Sequence, residues 1–297
     1  VTASLPASAA TFLGFERRLR SASNGTDFAI SLSARGLDWL FESRRWPQLS
    51  KLVGKWRAHS AFDSRTVWLE FDVSETAFQR HPPNVFISID RGDAQSIAPP
   101  AEIDGPGLRG CMRVCPSSVT RFQLGFMFSR ATAAVRFCAM PMNHQETMAF
   151  LTAVAWPGSL ACVSQVLAPY EPFCDGFGVD LDLLDSPAPS LGVELLYTGR
   201  VQEHQPDSEP RWRSLFDQLI RDGFCTRRER NALLSWVSQR KFSAPVVTRL
   251  FAALFYPDHA LLHGTLYTGL QHVKLCFGPK ASIHAKAYFG AVLEADE

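Results

Sequence analysis

The chain has 297 residues, is 46% hydrophobic and 20% charged, and its 30 basic and 29 acidic residues leave a net charge of +1. A chain of this length can bury one large core or two closely packed halves. The charge balance offers no basic excess for a nucleic-acid or membrane partner, and no apolar run approaches the ~18 residues a spanning helix needs.

Val1 to Ser8 lack a basic segment followed by an apolar run, so the start does not read as a signal peptide. Phe12, Phe15 and Leu19 recur at helical spacing, which predicts an opening helix over residues 8–22. Phe28 to Leu32 predicts a first strand, and Gly36 to Trp46 a short aromatic helix stopped before Pro47. Lys51 to Trp56 reads as a linking turn or short strand. The first clear hairpin pairs Val67 to Val73 with Val85 to Ile89, and its apolar–acidic alternation marks one buried and one wet face. Arg91 to Gly110, with Pro99-Pro100 and Gly105-Pro106-Gly107, reads as a long loop fit to act as a lid.

A second hairpin joins Arg121–Phe128 to Ala134–Ala139, and Gln145 to Ala155 predicts a helix. Residues 158–175 form a seam, and a third hairpin pairs Val179–Leu183 with Leu191–Leu196. An amphipathic helix over 210–222 takes Asp207 or Ser208 as its cap and Gly223 as its stop. Thr226 and Glu229 form a capping box for a helix over 227–239, and Val246 to Tyr256 predicts another. A last hairpin joins His272–Phe277 to His284–Phe289. The fold class is therefore α+β, with a largely antiparallel sheet built from repeated hairpins and helices packed against it. The repeats suggest two pseudo-equivalent halves, 1–157 and 158–297, that pack intimately or form one domain, although alternating strands also look alike by chance.

The strands carry the candidate chemistry. Alternation puts Trp68, Glu70 and Asp72 on one strand face, and Asp180 and Asp182 on another. Such pairs suit acid–base work or a cation, but a solvated or salt-bridged face has the same pattern and is the favoured reading. Lys274 and Lys286 are cross-strand partners able to neutralise these carboxylates if both halves share one sheet. Asp258-His259 with His263 has a zinc-like spacing, with His272 and Glu294 as further donors; the usual glutamate is missing, and capping or ordinary hydrogen bonding is favoured. No metal or cofactor is called for. The seven cysteines are scattered without a C-x-x-C pair, which fits reduced thiols in a cytoplasmic protein. Nucleophile elbows and phosphate-binding glycine loops are absent.

At Leu69-Glu70-Phe71-Asp72, Leu191-Gly192-Val193-Glu194, His272-Val273-Lys274-Leu275 and Ala285-Lys286-Ala287-Tyr288, the chain resembles accessory proteins of ribosomal-peptide biosynthesis, namely the peptide-binding proteins of the crocagin pathway. The resemblance implies binding of a precursor peptide and its presentation to modifying enzymes of the same pathway, without chemistry of its own. The expected function is accordingly non-catalytic peptide binding through Trp68, Glu70, Asp72, Lys274 and Lys286, with the 91–110 loop as lid. The alternative is a barrel-type, prenyltransferase-like enzyme acting on an aromatic or peptide substrate. There, Lys274, Lys286 and Arg136 meet a diphosphate and Glu70 acts as base. A structural subunit is the third reading, since near-zero net charge permits homodimerisation.

Overall fold

The computed structural model describes residues 10–22, 25–42, 46–57, 67–72, 82–94, 106–129, 134–199, 203, 205–243, 263–279 and 282–295. The strands are β1 (Ala10–Arg18), β2 (Asp27–Leu32), β3 (Val67–Phe71), β4 (Asn84–Asp90), β5 (Arg121–Phe126), β6 (Val135–Met142), β7 (Gly176–Leu183), β8 (Pro187–Leu196), β9 (Ser238–Ser243), β10 (His263–Phe277) and β11 (Ile283–Ala295). The helices are α1 (Ala34–Glu42), α2 (Pro47–Arg57), α3 (Arg91–Ala94), α4 (Pro106–Val114), α5 (His144–Ala153), α6 (Leu160–Leu167), α7 (Arg211–Arg221) and α8 (Arg227–Trp236). None of the described helices is long and apolar enough to cross a membrane.

The eleven strands form one antiparallel sheet in the order β11-β1-β2-β3-β4-β5-β6-β7-β8-β10-β9. β11 pairs with β10 as well as with β1, so every strand except β9 joins a closed ring of ten. The expected antiparallel α+β architecture is thus realised as a barrel. All four expected hairpins are present, as β3–β4, β5–β6, β7–β8 and β10–β11.

Closure decides where the core lies. Ile30, Leu69, Ile87, Leu124, Phe137, Val179, Val193 and Val273 project from one face and merge with Leu40, Val53, Phe150, Val163 and Trp212 of the helices into one apolar cluster. Because helices cover that face, it is the outside of the barrel, and the alternate, polar residues line the lumen. Eight-strand barrels are just filled by their own side chains; ten strands leave more bore.

β10 is unusually long, at 15 residues, because it serves two partners along one edge. Val273 to Phe277 pair with β8, whereas His263 to Thr268 pair with β9. Between them lies a bulge at Leu270/His272, where neither neighbour reaches. The Gln205 side chain fills that gap: its amide donates to the Leu270 carbonyl at 2.9 Å and its Oε1 accepts from the Leu270 N–H at 2.8 Å. Gly269 leaves the necessary room, since a Cβ there would lie 2.8 Å from Gln205 Oε1.

Several expectations are corrected. Residues 10–18 form β1, not a helix; Phe12 meets Trp68 on the lumen side while Phe15 packs on Trp236 and Phe289 outside. Aromatics on both faces erase the alternation that would reveal the strand. Residues 51–56 are not a turn but lie within α2, whose Leu49, Val53 and Trp56 are buried at helical spacing. Pro47 starts this helix, where its missing N–H costs nothing. The 91–110 stretch is not all loop, since α3 and α4 occupy its ends. Residues 95–105 of the expected lid, the expected helix over 246–256, and Asp258 with His259 lie outside the described residues.

Helix ends follow mostly local rules. The Thr226–Glu229 capping box forms as expected. α7 instead takes Pro210 at its N-cap without a side-chain bond, and Ser208 donates to the Glu203 carbonyl at 2.7 Å. α8 ends at Trp236, short of the expected 239, because Ser238 and Gln239 join β9.

Replacing Gln205 with Ala would strand the Leu270 N–H and carbonyl, at a cost of about 1–3 kcal/mol for each buried group left unpaired. The expected result is a melting temperature several degrees lower for Gln205→Ala than for wild type. Native-state hydrogen exchange should show faster exchange at the Leu270 amide.

Candidate functional site

The lumen is built by period two. Its inward positions run around the ring as Glu16↔Tyr288, Gly14↔Ala29, Ala29↔Glu70, Trp68↔Phe86, Glu70↔Asn84, Phe86↔Gly125, Gly125↔Arg136, Arg136↔Asp182, Cys138↔Asp180, Gly178↔Glu194, Glu194↔Lys274 and Lys274↔Lys286. Two arcs result. The arc over β6, β7, β8, β10, β11 and β1 is charged; that over β1, β3 and β4 is aromatic.

In the charged arc, Lys274 lies between Asp180, with which it makes an ion pair, and Glu194, 3.1 Å from Oε1. His272 Nε2 lies 3.4 Å from the same Glu194 oxygen. The imidazole stacks on Tyr288 with centroids 4.2 Å apart, and Lys274 Nζ stands 5.0 Å from the Tyr288 ring centroid. The Tyr288 hydroxyl donates to Glu16 Oε2, while Lys286 donates to Oε1. Further round, Arg136 grips Asp182 with two hydrogen bonds, at 2.8 and 3.2 Å.

These contacts sort the carboxylates. Burial pushes Glu16 up, but Lys286 and Lys274 outweigh it, assisted by hydrogen bonds from Lys286 and Tyr288, and bring its pKa down to about 2. Burial also opposes ionisation of Glu194, yet His272 and Lys274 hold it below the usual carboxylate range. Asp180 goes the other way: burial dominates, and the Glu194 charge adds to it, so its pKa is raised despite Lys274. Lys274 stays protonated because Asp180, Tyr288 and Glu194 overcome its own burial.

On the aromatic arc, Phe12 meets Trp68 edge-on with centroids 5.6 Å apart. The Phe86 ring lies over Gly125, where a Cβ would come within 2.5 Å of Phe86 Cε1. Phe12 lies in the same way over Gly290. At the end of this arc, Asn84 donates to Glu70 at 3.2 Å and to Asp72 at 3.4 Å, and the Ser129 hydroxyl bonds Asp72.

The expected binding residues therefore separate into two groups. Trp68, Glu70 and Asp72 share the β3 side, while Lys274 and Lys286 face each other as a cross-strand pair on β10 and β11. The lysines neutralise Asp180, Glu194 and Glu16; Asn84 bonds both Glu70 and Asp72, and Ser129 bonds Asp72. Glu16 and Tyr288 were missing from the expected site. The signal for Glu16 is the inward series Phe12, Gly14, Glu16, which the apolar outward series Leu13, Phe15 obscures.

Each of the seven cysteines is a free thiol, and burial raises the Cys138 thiol well above its ordinary range. Among the described residues no group of three or more His, Cys, Asp or Glu is placed to hold a metal ion.

No family model and no curated protein matches this chain. Solved structures share its fold, among them the following two. AnaPT from Neosartorya fischeri aligns with a TM-score of 0.51 and 12% identity, over 96% of this chain and 79% of that one. A 6-dimethylallyl tryptophan synthase aligns with a TM-score of 0.50 and 14% identity, over 96% of this chain and 83% of that one. The class defined here is thus a closed antiparallel barrel with helices outside, a fold shared with these two proteins.

Glu16 also sets a pH dependence. Its folded pKa of about 2 lies below its ordinary 4.5, so its contribution is complete above 4.5 and is lost as pH falls through the folded value. That shift corresponds to about 3 kcal/mol. Glu16→Gln should lower stability at neutral pH by about 1–3 kcal/mol. Denaturant melts of the variant between neutral and acid pH should fall less steeply than those of wild type.

Proposed function

We propose that the lumen binds an aromatic acceptor and supports transfer of a prenyl group to it from a diphosphate donor. The observation that carries this reading is the presence, inside one barrel, of a Glu16 carboxylate bonded by Lys286 and Tyr288 together with a wall of Phe12, Trp68 and Phe86. The fold shared with a 6-dimethylallyl tryptophan synthase supports it.

In such a transfer the donor's C–O bond breaks, a C–C bond forms at the acceptor ring, and the ring proton passes to the departing diphosphate. Each element of the lumen has a part. Ring faces of Trp68, Phe12 and Phe86 stabilise positive charge developing on the allyl carbon and keep water from it. The Glu16 carboxylate accepts a hydrogen bond from the acceptor's N–H or O–H and enriches its ring. Lys286, Lys274 and Arg136 oppose the charge of the leaving diphosphate.

A second reading is the non-catalytic one, in which the lumen binds a precursor peptide for presentation to modifying enzymes. One observation favours it: each of Arg136, Lys274 and Lys286 already has a carboxylate at ion-pair distance. Side-by-side opposite charges suit the mixed polar groups of a peptide.

Incubation with dimethylallyl diphosphate and L-tryptophan or tryptophan-containing peptides, followed by mass spectrometry, separates the two. Gain of one prenyl unit is expected, and Trp68→Ala should reduce it roughly tenfold or more, as loss of an aromatic anchor does. Peptide binding by calorimetry without any prenylated product would select the second reading.

A further inference from the structure

The donor's anion faces a lumen whose cations are already neutralised. Lys274 illustrates this: it is 9% exposed and held between Asp180 and Glu194. A polyanion drawn toward Lys274 therefore meets two carboxylates first. These two are not equivalent. Glu194 has His272 as a second neighbour at 3.4 Å, whereas Lys274 is the described ion-pair partner of Asp180. Asp180 is 4% exposed, so water screens little of any charge placed beside it.

We propose that polyanion binding in this lumen is coupled to uptake of one proton by Asp180, which frees Lys274 to bond the anion. This rests on the diphosphate-donor reading. The proton passes from solvent to an Asp180 carboxylate oxygen, the Lys274 ammonium turns from Asp180 to a phosphate oxygen, and no covalent bond of the anion changes. Protonation removes the like charge that would otherwise stand beside the arriving anion.

The groups around Asp180 leave it as the site of uptake. From β6 come Arg136 and Cys138, from β8 Glu194, and from β10 Lys274 and Cys276. Arg136 and Lys274 are already protonated, and both thiols are neutral with raised pKa values. Glu194 is held ionised by its two basic neighbours. Asp180 alone combines a buried carboxylate with a raised pKa.

The test is calorimetric titration with inorganic pyrophosphate at about pH 6 and about pH 8, comparing wild type with Asp180→Asn and Glu194→Gln. Pyrophosphate's own titration is common to all three proteins, so differences between them isolate the side chain. Wild type should gain up to about tenfold in relative affinity per pH unit of acidification over Asp180→Asn. Asp180→Asn should bind more tightly at the higher pH, and Glu194→Gln should retain a proton-linked dependence displaced to lower pH, because the Glu194 charge that helps raise Asp180 is gone. Equal pH dependence in wild type and Asp180→Asn overturns the coupling while leaving the donor reading intact. Failure of pyrophosphate and dimethylallyl diphosphate to bind any of the three overturns both. Should Asp180→Asn not fold, sulfate supplies the check on wild type, since its charge is fixed over this range. Its binding heat should vary with the ionisation heat of the buffer in proportion to the proton taken up, and an invariant heat overturns the proposal.

Discussion

Pairing of β11 with both β1 and β10 is the contact on which the other features depend. An open antiparallel sheet with one apolar face would leave its polar face in bulk water, where ion pairs such as Lys274–Asp180 contribute little. Closing the ring turns that same face inward. The polar residues of the strands then meet in a confined space, and contacts form between residues 270 positions apart, as with Lys286 and Glu16. The helices follow from the same event, since the apolar face now surrounds the barrel and needs a cover.

The strands were readable where one face was polar. β3 and β7 alternate apolar with acidic residues, and their hairpins fall where the pattern puts them. β1 was not readable, because Leu13 and Phe15 on its outside are joined by Phe12 on its inside, and a strand apolar on both faces has no period-two signature. α2 is hidden differently: Pro47 suits the end of the preceding helix as well as the first position of the next, which it occupies. The capping box of α8 was legible because its partners are three residues apart.

The same distinction applies to the site. Which residues face the lumen can be deduced once a strand is known, and Trp68, Glu70, Lys274 and Lys286 were recovered in that way. Which cation meets which carboxylate cannot, because that depends on strand order and register around the closed ring. Lys274 and Lys286 are expected to neutralise the β3 or β7 acids; Lys274 does pair with Asp180 of β7, but ring order adds Glu194 as its second partner and gives Lys286 to Glu16. The resulting division into ionised Glu16 and Glu194 and reluctant Asp180 is a property of the assembled lumen, with no counterpart in composition or spacing.

The rings lying over Gly125 and Gly290 constrain how this lumen can change over evolutionary time. A methyl group at Gly125 would strike Phe86 at 2.5 Å, so mutational paths that narrow the bore through the glycines must first displace a ring. Paths that trim Phe86 or Phe12 meet no such obstacle, because the space they open lies in the lumen and not in the packed layer outside. Divergence in this barrel is therefore biased toward larger ligands.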